Sequence, residues 1–299
     1  MEFQHKSVLL QECIDALNIR PDGIYLDGTL GGAGHSSQIA RRLTEGGRLI
    51  GVDRDRTALA AAKERLAPYA DRVTLVHSNF AEIDAILDSL GIPAVDGMLF
   101  DLGVSSPQLD DASRGFSYMA DAPLDMRMDK DDALTAGAVV NTWPQGELRR
   151  ILYDYGEERY APQIAAAICR AREKAPVETT LELVDIIKSA MPERALREKQ
   201  HPAKRSFQAI RIAVNGELDA LPPMLSGAID HLNPGGRLVV ITFHSLEDRI
   251  VKNVFQDAAK GCTCPPEFPV CMCGRKSKGT VITRKPIVPG EEELEYNKR

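Results

Sequence analysis

Three aspartates, each ending a short apolar run, are the side chains best suited to bind a polar ligand. Asp27, Asp53 and Asp101 end the runs, and glycine fills four of the seven positions from 28 to 34. Glycine lets the backbone approach a ligand closely and adopt conformations that a side chain forbids. A carboxylate roughly 20 residues beyond such a loop can accept hydrogen bonds from both ribose hydroxyls. The segment from 24 to 55 therefore predicts a nucleoside-binding βαβ unit.

The glycine spacing separates three classes of nucleotide ligand. A dinucleotide fingerprint starting at Gly32 would need its third glycine at Ser37, and a phosphate-binding P-loop would need a Gly-Lys pair, which the sequence lacks. Acids at both strand ends fit a ligand that has a ribose and a cationic group but no phosphate, such as S-adenosylmethionine (SAM). Asp27 and the loop would face its amino-acid end, and Asp53 its ribose. Ordinary turn glycines and helix caps remain an alternative for this loop taken alone.

Strands and helices alternate through the first hundred residues and bring these aspartates to one edge. Short connections between such elements give a parallel sheet with helices on both faces. Ligands then bind beyond the carboxyl ends of the strands, where the Asn79-Phe80 pair also falls. The predicted strands are 24–27, 48–52, 73–77 and 98–100, and the predicted helices are 34–45, 55–66 and 80–90.

The alternation stops at Leu102. Residues 105–205 contain helical stretches, prolines and acids but no comparably strong strand, and we predict an inserted helical substrate-recognition domain there. The SAM-binding domain is predicted over 1–104 and 206–299. Its later elements are predicted as a long helix from about 206 to 231, a strand at 236–243, a helix at 246–260 and a last strand at 280–285.

Charge is segregated along the chain. The net charge of −6 argues against indiscriminate binding to nucleic acid, yet Lys188–Arg211 holds seven Lys or Arg against two Glu. Such a local basic segment favours a polyanionic partner, although a solvated helix face is the alternative. No apolar run approaches the ~18 residues of a membrane span. We therefore expect a soluble, cytoplasmic protein without a membrane partner.

The six cysteines fall into two groups. Cys13 and Cys169 lie in apolar helical patterns and are predicted to be core residues. The other four form two Cys-x-Cys pairs in a Pro-rich segment: Cys262, Cys264, Cys271 and Cys273. A tetrathiolate zinc site is one interpretation, but the pairs are tighter than the usual spacing. Reduced thiols in a basic tail are favoured for a cytosolic chain, so no metal ligand is predicted.

Two strand ends offer chemistry. In a SAM-dependent methyltransferase the end of strand four faces the methyl group and the substrate, so Asp101 is our candidate to accept a hydrogen bond from a target amine. A loop cap, with Ser105 and Ser106 as turn residues, is the alternative. His244, at the end of the fifth strand, is equally compatible with a structural role and with a substrate contact.

Seven motifs lie in order along nearly the whole chain, several of them outside generic cofactor-binding patterns. They are His5–Leu10, Asp27–Ser36, Asp101–Gln108, Arg114–Ser117, Leu124–Met128, Arg205–Arg211 and Phe243–Arg249. On these motifs the sequence resembles the bacterial 16S ribosomal RNA methyltransferase H family, the cytosine-N(4) methyltransferases. The resemblance implies an α/β, Rossmann-like class I SAM-dependent methyltransferase sheet. It also implies methyl transfer from SAM to the 4-amino group of a cytidine in the decoding region of small-subunit rRNA.

The resemblance also implies residue roles. Ala33, Gly34 and His35 line the SAM loop, Asp53 takes the ribose and Phe80 flanks the adenine. Asp101 and Gln108 close the site near the methyl donor, and the partner is the small-subunit rRNA or the small ribosomal subunit.

Two departures and three competing functions bear on this assignment. The Asp/Asn/Ser-Pro-Pro-aromatic motif of DNA amino-methyltransferases is replaced by Ser105–Gln108, and no Pro-Cys pair is present to support a ring-carbon methyltransferase. A small-molecule methyltransferase would not need the basic segments. A non-catalytic RNA-binding protein would not need the three aspartates together. An NAD-linked oxidoreductase is disfavoured by the missing glycine.

Overall fold

The computed structural model describes residues 7–265, 267–268, 270 and 272–296. The chain divides into two compact units: Met1–Gly103 with Asp219–Arg299, and Val104–Leu218. The second unit thus begins within one residue of the predicted insertion but extends to Leu218 rather than 205. The reason is that the helix Lys204–Asn215 buries Phe207 and Ile210 in the second unit's core.

The first unit is built on a five-stranded sheet in which every pairing is parallel, with the order β3-β2-β1-β4-β5. The strands are β1 Ile24–Asp27, β2 Arg48–Asp53, β3 Val73–His77, β4 Val95–Asp101 and β5 Leu232–Ile241. The predicted Rossmann-like sheet is confirmed. Chain order reverses between β1 and β4, and at such a switch point loops leave neighbouring strands in opposite directions and open a crevice.

Burial explains why the central strands form. Six of the seven residues of β4 are buried, with only Asp101 partly accessible. A strand covered on both faces needs a near-continuous apolar run, which these residues supply. Cys13 and Leu17 on the first helix pack with Tyr25 in the core cluster beside the sheet. The aspartates are thus carried on the most rigid part of the unit.

Helices make up most of the remainder. In chain order they are α1 Leu10–Leu17, α2 Gly34–Arg42, α3 Arg56–Arg65, α4 Ile83–Ser89, α5 Ser106–Asp110, α6 Ala136–Thr142, α7 Gln145–Asp154, α8 Ala161–Arg172, α9 Thr180–Ser189, α10 Glu193–Leu196, α11 Lys204–Asn215, α12 Leu221–Asp230, α13 Ser245–Ala259 and α14 Glu291–Tyr296.

Two sequence predictions are wrong. The long helix expected from 206 to 231 is two helices, because Gly216 ends α11 with φ 60° and Pro222 and Pro223 are tolerated only in the first turn of α12. The last strand expected at 280–285 is absent from the described segment. Ile282 there is 64% exposed, so its alternating pattern has no buried face to stabilise a strand.

The second unit is helical, as predicted, with an isolated bridge between Pro123 and Thr179 as its β-structure in the described residues. Its core combines side chains from α6, α7, α8, α9 and α11. Thr179 begins α9 with a reciprocal capping box in which the Glu182 carboxylate accepts from the Thr179 N–H. Local capping and a shared apolar core together account for a compact unit inside the insertion.

Gly97→Ala should destabilise the first unit. A Cβ at this position in β4 would lie 2.8 Å from the ring of Tyr25 and 3.2 Å from Leu17. The ring cannot swing aside freely, since the Tyr25 hydroxyl accepts a hydrogen bond from the Arg20 N–H at 2.7 Å. Overpacking of this kind costs about 1–3 kcal/mol. Urea unfolding should show a lower midpoint. Gly290→Ala, where a Cβ meets nothing within 4 Å, is the matched control and should leave the midpoint unchanged.

Candidate functional site

The carboxyl ends of β1, β2 and β4 place Asp27, Asp53 and Asp101 along one edge of the sheet. The crevice expected at the switch point lies between the first and the third of these strands. The structure therefore brings together the three aspartates that the sequence singled out. Their environments differ, and the differences assign them different tasks.

Asp27 holds the glycine loop. It is 1% exposed, its Oδ2 accepts from the Ser36 hydroxyl at 2.7 Å, and its Oδ1 accepts from the Thr29 N–H at 3.1 Å. Burial raises the pKa of its carboxyl to about 6, although both hydrogen bonds oppose the rise. Both carboxylate oxygens therefore bind the loop itself, and the expectation that Asp27 faces the amino-acid end of a ligand stays a prediction.

The loop between β1 and α2 has an unusual backbone. Ala33, the residue that caps α2, is fully buried and adopts a left-handed conformation with φ 57°, which costs a residue with a Cβ free energy. Gly34 lies against the Ser7 side chain, so closely that a Cβ would overlap the Ser7 hydroxyl. The first helix turn after the loop is thus packed directly against the N-terminal segment.

Asp53 also binds the loop, from the neighbouring strand. Its Oδ2 accepts from the Gly31 N–H at 2.7 Å and its Oδ1 accepts from the Asp55 N–H at 2.8 Å. Burial raises the pKa of this carboxyl to about 6. These two bonds fix the orientation of the carboxylate.

Asp101 has no such support. Its backbone N–H donates to the Thr29 hydroxyl at 2.5 Å, but among the described atoms its buried Oδ1 has no hydrogen-bond partner. Burial, followed by the nearby carboxylates of Asp27 and Glu247, raises the pKa of Asp101 to about 7. A buried acceptor left without a donor is costly, and this oxygen is therefore the least satisfied atom among the three aspartates.

His35 borders the same carboxyl group without pairing with it electrostatically. Burial lowers the pKa of the imidazole to about 4, so the ring is neutral at pH 7. Its Nε2 lies 3.0 Å from the Val8 carbonyl, which only accepts, so this nitrogen carries the hydrogen. The Nδ1 lone pair therefore faces Asp101 Oδ2 at 3.8 Å. This contact is an approach of two acceptors unless Asp101 is protonated.

Glu247 is a site residue that the sequence reasoning missed. It is 2% exposed, its Oε2 accepts from the Phe243 N–H at 2.8 Å, and its Oε1 lies 3.2 Å from His244 Nε2. The sequence signal was a glutamate at the third position of a helix, which reaches back to the N–H groups before it. His244 is brought to this cluster, and neither of its ring nitrogens has a hydrogen bond within the described structure.

Phe80 and Gln108 do not belong to the carboxylate cluster: Phe80 follows β3, and Gln108 lies on α5. Phe80 follows β3 and packs edge-on against Phe100, with ring centroids 5.9 Å apart. Gln108 belongs to the second unit, where its buried side chain accepts from the Ser105 N–H at 3.0 Å and completes the capping box of α5. The structure thus gives Gln108 a helix-capping contact, with Ser105 as the N-cap and Ser106 as the first residue of α5.

Some cations of the basic segment Lys188–Arg211 are already paired with carboxylates, so fewer can contact a partner than the composition indicates. Arg211 forms a two-pronged ion pair with the buried Glu217, both contacts at 2.9 Å, and Arg197 pairs with Glu193 on an exposed helix face. The exposed cations of this segment in the second unit also include Arg194, Lys199 and Lys204.

Comparison with known proteins places this architecture. The model of the MraW methylase family matches residues 2–299. The chain belongs to the MraW methylase family. Proteins named ribosomal RNA small subunit methyltransferase H are 61% identical over 299 residues in Lachnospira eligens and 60% identical over 299 residues in Brevibacillus brevis. Each alignment covers 100% of this chain and 95% of the relative.

Among solved structures, NSun6 from Pyrococcus horikoshii with SFG aligns with 91% of this methylase and 47% of that chain. Its TM-score is 0.41 and its sequence identity 14%, so the likeness adds nothing to the family assignment.

Among the described residues, none of the helices of the methylase combines the length and the apolar character that crossing a bilayer requires.

SAM is the cofactor of this methyltransferase. The residues at the switch point fit it on their own chemistry. Asp27 and Glu247 each repel a charged Asp101, and a cation such as a sulfonium would relieve that repulsion. The fixed Asp53 carboxylate suits a pair of hydroxyls, and the tight loop suits close backbone approach.

Asp101→Asn should change how stability depends on pH. An unfolded Asp has a pKa of about 3.9, whereas folding raises that of Asp101 to about 7. Between these values the folded chain holds a proton that the unfolded chain lacks, so stability is lost as pH rises. The neutral amide escapes this loss. The free energy of unfolding of the variant minus that of the wild type should grow from pH 4 to 7 and then level off.

Urea unfolding across this pH range measures the difference. Asp88→Asn, on the exposed surface of α4, is the matched control and should track the wild type. A difference for Asp101→Asn that does not vary with pH would show that the carboxyl titrates normally.

Proposed function

We propose that this enzyme transfers the methyl group of SAM to the exocyclic 4-amino group of a cytidine in the decoding region of 16S rRNA of the small ribosomal subunit. The class of substrate is supported by the relatives, which share 55–61% identity and are named ribosomal RNA small subunit methyltransferase H. The position on the base is supported by the resemblance of the Asp101–Gln108 motif and by the chemistry of the strand-four carboxyl.

The unpartnered oxygen of Asp101 carries the proposal. An amino group has N–H donors to offer this acceptor, whereas the carbon of a pyrimidine ring has none. A thiolate nucleophile, which ring-carbon methylation uses, has no candidate near these residues in the described structure, because Cys13 is buried and its pKa is raised to about 12. An amine substrate therefore satisfies what the site lacks.

The proposed cofactor contacts rest on the resemblance of the sequence motifs. Ala33, Gly34 and His35 present the first turn of α2 to the amino-acid portion, and the oriented carboxylate of Asp53 accepts from the ribose hydroxyls. Phe80, held against Phe100, flanks the adenine. Asp101 is proposed to border the methyl group, and the resemblance of the Asp101–Gln108 motif supports a cofactor contact for Gln108.

The amine needs help because its lone pair is delocalised into the cytosine ring. Bound SAM supplies an electrophilic methyl group, so that a carbon–nitrogen bond forms as the carbon–sulfur bond breaks. Asp101 Oδ1 accepts a hydrogen bond from the amine, turns the nitrogen lone pair toward the methyl group and takes the proton that the nitrogen sheds. A carboxyl with a pKa of about 7 is well matched to take a proton at neutral pH. Holding the groups in line supplies the rest of the acceleration.

Access to the base requires the cytidine to leave its stack. We propose that the inserted helical unit, Val104–Leu218, recognises the RNA, with the exposed cations of α10 and its flanks contacting phosphates. Arg211 is excluded from this role because Glu217 neutralises it inside the unit.

Methyl transfer from labelled SAM to small ribosomal subunits from a strain lacking this gene tests the reaction. The wild type should produce 4-methylcytidine, identified by mass spectrometry of the nucleosides. Asp101→Asn should lower kcat by about 10²–10⁴-fold, the contribution of a positioned proton acceptor, while SAM still binds. Asp88→Asn should retain full turnover. A different methylated nucleoside, or full turnover in Asp101→Asn, contradicts the proposal.

Neutralising Arg194, Lys199 and Lys204 to Gln should weaken RNA binding and flatten its salt dependence. Each lost phosphate contact reduces the slope of log K against log salt by about 0.7–0.9. Filter binding at several salt concentrations measures it. The control replaces three exposed cations on other elements, Lys63, Arg149 and Lys174, by Gln. Equal slopes in the two triple variants would assign the segment to a solvated helix face.

A further inference from the structure

Three cysteines beyond the catalytic framework form a compact sulfur cluster. The Sγ atoms of Cys262, Cys264 and Cys273 all lie within 4.8 Å of one another, in the segment after α13. We propose that these three thiolates bind a zinc ion, which holds this segment in place. We name residues 260–279 the cysteine loop. The proposal does not rest on the methyl-transfer function, and its tests do not use turnover.

The sulfur spacing fits one shared ion. Zinc–sulfur bonds are about 2.3 Å long, so two sulfurs on a tetrahedral ion are about 3.8 Å apart. Cys262 Sγ and Cys273 Sγ are 3.7 Å apart. A disulfide would need about 2.0 Å. Thiolates select zinc over the hard cations, which prefer oxygen ligands.

Backbone N–H groups already surround the sulfurs. The N–H groups of Met272 and Cys273 donate to Cys264 Sγ at 3.2 and 3.3 Å, and the Cys264 N–H donates to Cys262 Sγ at 3.4 Å. Hydrogen bonds to sulfur favour the thiolate, the form that binds metal. Gly274, with φ 62°, makes the turn that returns the chain after the last ligand.

The described residues of the cysteine loop form no apolar core that could hold it. No described residue from 261 to 280 is buried, and Phe268, Val270 and Met272 are 52%, 67% and 76% exposed. Segments without a core are commonly ordered by a structural metal. The Cys-x-Cys spacing is tighter than in the usual zinc-binding patterns. The third sulfur, that of Cys273, nevertheless lies near the other two because the chain folds back.

The far end of the cysteine loop is fastened to the first unit. Arg275 donates to the Asp257 carboxylate at 2.7 Å, the Lys278 N–H donates to the Ala258 carbonyl at 2.9 Å, and the Lys278 ammonium donates to Asp230 at 2.5 Å. These contacts bring the chain back to the end of α13, close to where it left. A metal ion would therefore cross-link a short loop whose two ends are already held together. Cys271 lies outside the described residues, and the three-sulfur site does not depend on it.

Metal analysis of the full-length protein, purified without chelators or a metal-affinity tag, tests the proposal. About one zinc ion per chain is expected, with X-ray absorption showing sulfur neighbours at about 2.3 Å. Cys262→Ser, Cys264→Ser and Cys273→Ser should each lose the zinc. Cys169→Ser, in the second unit, is the matched control and should keep it.

A second measurement covers variants that fold poorly. Wild-type protein stripped with a chelator should take up Co²⁺ and develop thiolate-to-cobalt absorption, which Zn²⁺ should displace. Trypsin should cut the stripped protein faster within residues 260–279, and added Zn²⁺ should restore protection.

The proposal would be overturned by a wild-type protein that neither contains nor takes up zinc, or by zinc bound through nitrogen or oxygen alone. A disulfide between Cys262 and Cys273 in protein freshly purified under reducing conditions would also overturn it. Iron or copper in place of zinc would likewise refute the assignment of the ion.

Discussion

The crowding of carboxyl groups at one end of a buried sheet is the constraint around which the site is organised. Charged groups removed from water are costly, and each neighbouring negative charge adds to that cost. The fold offsets it unequally: Asp27 receives the Ser36 hydroxyl, and Glu247 receives the Phe243 N–H, while Asp101 Oδ1 receives nothing from the described chain. The described chain therefore leaves this cluster with excess negative charge and with one carboxyl oxygen that has no hydrogen-bond donor.

The carboxylates of the candidate site and the exposed cations of the basic segment belong to different units. The framework that orients carboxylates belongs to Met1–Gly103 and Asp219–Arg299, whereas the exposed cations lie in Val104–Leu218. A basic patch within the acidic cluster would neutralise the carboxylates and lower the pKa of Asp101. None of the causes that set the pKa of Asp101 is a nearby cation, and that pKa is raised to about 7.

Much of this arrangement could be predicted from the sequence. Buried strands of a parallel sheet are recognisable as apolar runs, and their carboxyl ends lie at the same edge of the sheet. The three aspartates and the glycine loop were identified on that ground. The position of Glu247 in the first turn of α13 did indicate its contact with the Phe243 N–H, but its burial depends on tertiary packing that the sequence does not show. The boundary at Leu218 was missed for the same reason: α11 looks like any amphipathic helix until its partners are known. The break before α12 was readable from Gly216 and two prolines but was passed over.

The insertion between neighbouring strands also governs the order in which the molecule can form. β5 pairs with β4, yet residues 102–231 separate them along the chain. At synthesis rates of about 5–20 residues per second, β4 emerges on the order of ten seconds before its partner. The inserted unit, contiguous in sequence, can mature during that interval, whereas the newly made sheet keeps an apolar edge without its neighbour. The nascent chain is thus most prone to aggregation just before β5 is synthesised and can pair with β4.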